Sequence, residues 1–207
     1  MSSSLNVYLL DPAATRALVC SRDDQLLEVI RHNFEDELAR NDDYFSHQIE
    51  QGVPTAYEAL RAVVHGGPFS ANADHAFQYG YAYERLCALT GSFLDNNCFT
   101  PHRGDWLTVV DQGLRALGVT AISVESLARG SGLPVLLPYT CTPGCGEWLP
   151  ERIAQALEQV KAAKRAIDES GRAPLLMPEV MEAVMQCLGW VRHAVARPGF
   201  GVIGFCF

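Results

Sequence analysis

The chain carries β-forming apolar runs at its two ends and apolar residues at helical spacing between them. "LNVYLL" (5–10) predicts an opening strand, ended by Asp11-Pro12, with Asp11 placed to cap a short helix that starts at Pro12. Ser21 reads as the next cap, with Asp24 three residues on in a variant of the capping box. Leu26, Leu27, Ile30, Phe34 and Leu38 then recur at helical spacing and predict one helix whose polar face runs through "EDELARNDD". Tyr44, Phe45 and Ile49 mark a further turn-helix unit that Gly52 ends. Thr55 caps "AYEALRAVVHG", which Gly66-Gly67-Pro68 stops.

The densest stretch is "DHAFQYGYAYERLCALTG" (74–91), where Phe77, Tyr79, Tyr81 and Tyr83 stand beside His75, Glu84 and Arg85. It predicts a helix apolar nearly all round, as central helices are. Tyr79 and Tyr83 share one face, Phe77 and Tyr81 another. Gly80 inside that helix is disfavoured by roughly 1 kcal/mol relative to Ala. The expectation is that another helix passes close there. Glu84 and Arg85 are adjacent, so they are expected to point apart and find separate partners, with Asp95, Arg103 and Asp105 as candidates.

"SFLDNNCFTPHRG" is a loop, and Trp106, Val109, Val110, Leu114 and Leu117 mark the apolar face of the next helix. "VTAISVES" (119–126) is a β-rich run. Prolines and glycines make 133–150 a loop with one edge strand. A helix follows over 151–166, with "KAAKRA" near its C-terminal end, where cations suit the dipole. "SGRAP" links it to a last helix over 179–197, and "FGVIGFCF" closes the chain as a strand. The two end strands are too short to stand alone, so they are expected to pair in one small sheet. The fold class is therefore α+β: a helix-rich single globular domain over 1–207, with a small sheet that includes the N- and C-terminal strands.

Composition narrows the function. The 207 residues suffice for a real core, and 48% hydrophobic with 19% charged residues is globular. A net charge of −8 repels phosphate backbones, which argues against nucleic acid and favours a basic protein partner. The opening residues lack a basic n-region and a long apolar run, and no stretch approaches the ~18 apolar residues of a membrane helix. Seven cysteines, several inside apolar helical patterns, fit free thiols in a reduced, cytoplasmic setting.

The candidate chemistry has several readings. Tyr79, Tyr83, Arg85 and His75 are the candidate ligand-binding set if the aromatic helix walls a pocket. The alternative is a core helix whose hydroxyls find partners within the chain. Glu35, Asp36, Glu37, Asp42 and Asp43 form either a solvated helix face or a docking patch for a basic partner. Cys98-x3-His102 and Cys141-x3-Cys145 could supply four zinc ligands, but the spacing is looser than the usual C-x2-C knuckle. No metal or other cofactor is expected. "GFGVIG" (199–204) matches G-x-G-x-x-G without the following helix that dinucleotide binding needs, so its glycines are read as allowing close packing or a bulge in the terminal strand. The G-x-S-x-G, S-x-x-K, H-E-x-x-H and P-loop patterns are missing, His193 reads as a helix-end histidine, and Cys87 and Cys187 read as core thiols. The leading expectation is a non-catalytic protein-binding domain, of which an immunity protein that neutralises a toxin is one type. Its rivals are a small-molecule binder or enzyme with a Tyr/Arg/His-lined pocket, and a zinc-stabilised domain.

"HAFQYGYAYERLCALTGSFLDNN", "WLTVVDQGLRALG", "LPYTCTPGCGEW" and "VRHAVARPGFGVIGF" resemble an uncharacterised bacterial family of unknown function, best represented among actinobacteria. The order of elements also resembles that of YfbM-like proteins: an early strand, a helical middle, and a last helix running into a closing strand. These resemblances imply a compact α+β fold and bring no catalytic residue.

Overall fold

The computed structural model describes residues 2–130 and 132–207. In chain order the elements are β1 (Leu5–Leu10), α1 (Pro12–Arg16), α2 (Asp24–Asn33), α3 (Glu35–Tyr44), α4 (Ser46–Glu50), α5 (Ala56–His65), α6 (Ala76–Thr90), β2 (Ser92–Phe93), α7 (Trp106–Ala116), α8 (Val124–Arg129), β3 (Gly144–Trp148), α9 (Pro150–Ser170), α10 (Pro178–Val195) and β4 (Gly201–Cys206). The fold is α+β and helix-rich, with one antiparallel sheet that includes both end strands. The chain divides into two compact units: residues 2–12, 92–132 and 144–207 form the first, and 13–91 with 133–143 the second.

The first unit is built on the sheet, in the order β2-β1-β4-β3. β1 and β4 pair along their whole length, from Leu5 opposite Cys206 to Leu10 opposite Gly201. β3 is an edge strand on β4, as the proline- and glycine-rich sequence around it suggests. Gly146 and Gly204 face each other across that pair, and a Cβ on either would strike Ser126 or Leu127 of α8. Of the glycines in "GFGVIG", Gly204 serves close packing of α8 on the sheet, Gly201 lies against Pro12 and the Trp148 carbonyl, and Gly199 stands at φ 84° with open space around it. Phe99, Trp148 and Trp190 are buried in the core of this unit, with ring centroids 5.2 Å apart for Phe99–Trp190 and 5.9 Å for Trp148–Trp190.

The β-rich run 119–126 does not form a strand. Ser123 caps α8 through the Ser126 N–H, and the buried Asp111 carboxylate accepts from Ser123 Oγ and from the N–H groups of Val124 and Glu125. Two side chains thus serve the start of a helix, and this outweighs the β propensity of Val119, Ile122 and Val124. α9 also runs further than its pattern suggested, to Ser170, so "KAAKRA" lies inside it and no basic residue occupies its last turn. Gly171 ends it in the left-handed region, at φ 64°.

The second unit is helical. The predicted helix from Leu26 is broken at Phe34 into α2 and α3, and the separate turn-helix unit expected around Tyr44, Phe45 and Ile49 forms as α4, which starts after Phe45. Asp23, two residues beyond the expected Ser21, caps α2 by accepting from Leu26 N–H at 3.0 Å. α5 starts with the full capping box of Thr55 and Glu58 and ends at Gly66, as expected. Tyr79, Tyr83, Leu86 and Cys87 of α6 are buried, with Leu27, Ile30, Leu60 and Val63 also in the interior. A Cβ on Gly80 would lie 2.8 Å from Pro143 Cδ and 3.2 Å from Thr140 Cγ2. What approaches Gly80 is therefore the 140–143 loop, not another helix.

Candidate functional site

α6 presents two different aromatic faces. On the buried one, the Tyr79 hydroxyl accepts the Ser70 N–H at 2.7 Å, and the Tyr79 ring meets Phe69 edge-on at 5.0 Å. His75 Nδ1 bonds Ser70 Oγ at 2.9 Å and its Nε2 bonds Asn72 at 3.1 Å. His75 and Tyr79 thus meet at Ser70 and hold the loop that follows Gly67-Pro68. Tyr79 also borders a hollow of about 350 Å³, whose other walls include Glu58, Arg61 and His65 of α5. Tyr83 is buried one turn further on. Arg85 is half-buried and lies 3.9 Å from the buried Glu84 carboxylate, so these neighbours do approach each other through the length of the arginine chain.

The other face is half-exposed. Phe45, at the break between α3 and α4, stacks on Phe77 at 4.7 Å and on Tyr81 at 5.6 Å, and Tyr44 meets Phe45 edge-on at 4.7 Å. Tyr44 is 79% exposed. Burial holds the Tyr81 phenol well above its ordinary range, at about 12, and the charges of Glu84 and Tyr44 push the same way, against a smaller opposing effect of Arg85. The phenol is therefore a neutral hydrogen-bonding group at physiological pH.

The acidic run lies on α3, which ends at Tyr44. Glu35, Asp36 and Asp43 are exposed, while Asp42 is half-buried and accepts the Ala56 N–H at the start of α5 at 2.7 Å. Glu37 pairs with Arg40 at 3.3 Å. Acidic residues suit the first turn of a helix, but Asp42 and Asp43 occupy the last turn, where the dipole disfavours them and no basic residue stands. Asp42 has a local role as a cap. The Asp43 carboxylate makes no hydrogen bond or ion pair among the described residues, and it adjoins the most exposed ring of the cluster.

The zinc set is not assembled. Among the described residues no group of three or more His, Cys, Asp or Glu side chains could hold a metal ion. Cys98 and His102 do border one hollow, but His102 Nδ1 is bonded to the Phe99 carbonyl at 2.8 Å. Cys145 is buried on β3, two strand spacings or about 10 Å from β1, whose N-terminal approach bridges His102. Cys141 is exposed beside the Tyr139 hydroxyl at 3.4 Å. All seven cysteines are free. Burial first, then Asp111 and Cys98, push the Cys187 thiol well up, as a core thiol requires. No helix of the described residues is long and apolar enough to cross a membrane.

Sequence reasoning singled out Phe77 and Tyr81 as a separate face but did not join Tyr44 and Phe45 to it. The signal was present: Tyr44 and Phe45 open the turn-helix unit that follows the Leu26 helix, and an aromatic residue at a helix break packs on a neighbour. No curated protein and no solved structure matches the chain. A family model described as "Domain of unknown function (DUF7691)" matches residues 1–207, the whole chain, and the protein belongs to that family.

Proposed function

We propose that the second unit is a protein-binding module whose partner surface is the aromatic cluster of Tyr44, Phe45, Phe77 and Tyr81, edged by the carboxylates of α3. The observation that carries this reading is Asp43-Tyr44. A carboxylate in an unfavourable helix-end position, without a protein partner, stands next to a 79%-exposed tyrosine whose neighbours are packed rings. Binding hot spots combine an aromatic anchor with a firm base and a polar rim. The partner that fits is a basic segment. One arginine would stack on Tyr44 and pair with Asp43, and further cations of the segment would meet Asp36 and Glu35 two turns away along α3. No catalytic role is needed.

The test is binding of an Arg- and Lys-rich peptide library to the full chain by fluorescence anisotropy. Selected peptides should bind the wild type, lose affinity as salt rises, and bind Tyr44→Ala and Asp43→Asn about tenfold or more weakly. Equal binding by both variants and the wild type would remove the proposal.

A further inference from the structure

The first unit has its own cleft, of about 330 Å³, between the 94–98 segment and one stripe of α10. Glu182, Gln186, Gly189 and His193 follow one another at spacings of four, three and four and so line one side of the helix. Three glycines stand inside helices, and two have packing reasons. Gly80 admits Pro143, and Gly113 of α7 admits Val180 and Val184 of α10 at 2.8 and 3.0 Å from its added Cβ. Gly189 is different. A Cβ there would meet nothing within 4 Å, although a glycine inside a helix is disfavoured by roughly 1 kcal/mol relative to Ala. Its missing side chain leaves room in the cleft that no protein atom uses.

The opposite wall is held rigid. Gln186 accepts the Cys98 N–H at 3.1 Å and donates to the Asp95 carboxylate at 2.8 Å. The Trp190 and Trp106 indoles donate to the carbonyls of Asp95 and Cys98, each at 2.8 Å. Into this fixed frame Asp95 and Glu182 bring two carboxylates, and the cleft is lined by no Lys or Arg. The Glu182 carboxylate makes no hydrogen bond or ion pair among the described residues. Both carboxylates bear on the Cys98 thiol and, after burial, help to hold it in the protonated form. The thiol is therefore a weak donor in the wall.

We propose that this cleft binds a small organic cation carrying a primary amine or guanidinium group. Asp95 and Glu182 receive the charged head, and the bare face of Gly189 accommodates the carbon chain.

The experiment titrates the full chain with agmatine and putrescine, and with 1,4-butanediol as the uncharged control, following the Trp190 indole N–H by NMR. The diamine and the guanidinium probe should shift that signal and the diol should not. Glu182→Gln should weaken binding by about tenfold, the scale of one lost charged hydrogen bond. Gly189→Ala should weaken it as well while leaving the melting temperature unchanged or higher, because the added methyl fills empty space on a helix. Glu151→Gln, a surface carboxylate on α9, should leave binding unchanged. No shift with either cation at millimolar concentration, or equal affinity in wild type, Glu182→Gln and Gly189→Ala, would overturn the proposal.

Discussion

The Ser70 backbone N–H donates to the Tyr79 hydroxyl at 2.7 Å, so a loop with no regular structure hangs from a buried ring. Removing that oxygen leaves a half-buried N–H without its acceptor. Tyr79→Phe should therefore lower unfolding free energy by about 1 kcal/mol in urea melts. Tyr79→Ala should lower it by about 3–5 kcal/mol, since the ring also leaves a cavity. A neutral Tyr79→Phe would mean that water replaces the hydroxyl and that the loop is held by His75 instead.

Gly80 sets helix propensity against packing. Ala would favour the helix by roughly 1 kcal/mol, but its Cβ would come within 2.8 Å of Pro143 and 3.2 Å of Thr140. The proline ring cannot swing aside as a long side chain can, and overpacking of this kind costs about 1–3 kcal/mol. Gly80→Ala should therefore be destabilising in thermal melts. A raised melting temperature would show that the 140–143 loop moves away freely.

Much of this molecule was legible in its residues, for identifiable reasons. The β1 and β4 segments, α5 with its Thr55 capping box, and α10 are local features, each set by its own period, caps and breakers, and the pairing of the two end strands follows from neither being long enough to stand alone. α8 was misread because its start depends on Asp111, twelve residues upstream of Ser123, and the pattern of 119–126 alone points to a strand. The break at Phe34 does not show in the sequence because the apolar spacing continues through it to Leu38. The aromatic face and the cleft join residues distant in the chain: Phe45 with Phe77, and Asp95 with Gln186. Such pairings are tertiary facts, and periodicity does not encode them.

Tyr81 gives the aromatic face a spectroscopic signature. Its phenol ionises at about 12 in the folded chain, with burial as the main cause, against an ordinary value near 10. Between these values the unfolded chain has lost the proton and the folded chain keeps it, so the unfolded state binds fewer protons. Stability attributable to this group is therefore full below pH 10 and falls as pH rises from 10 to 12. A tyrosinate absorbance titration of the folded protein should show a late-ionising component that Tyr81→Phe removes. The same variant should flatten part of the alkaline loss of stability. If the late component survives Tyr81→Phe, it belongs to another tyrosine and Tyr81 is not the phenol that the fold holds protonated.

The start of α8 offers the sharpest separation between a local and a tertiary role. Ser123 accepts the Ser126 N–H, as any N-cap does, while Asp111 reaches in from α7 to take the Ser123 hydroxyl and two backbone N–H groups. Ser123→Ala removes one cap acceptor and should cost about 0.5–2 kcal/mol. Asp111→Ala removes the acceptor of three donors, two of them backbone groups of a helix that packs against Gly146 and Gly204, so its cost should be larger, at about 3 kcal/mol or more. Asp111→Asn keeps the shape and one acceptor oxygen, so it should fall between the two. In the double variant Ser123→Ala/Asp111→Ala the costs should be less than additive, because the Ser123–Asp111 bond is lost only once. Strict additivity in a double-mutant cycle would show that Asp111 serves the backbone of α8 alone and that Ser123 caps without it.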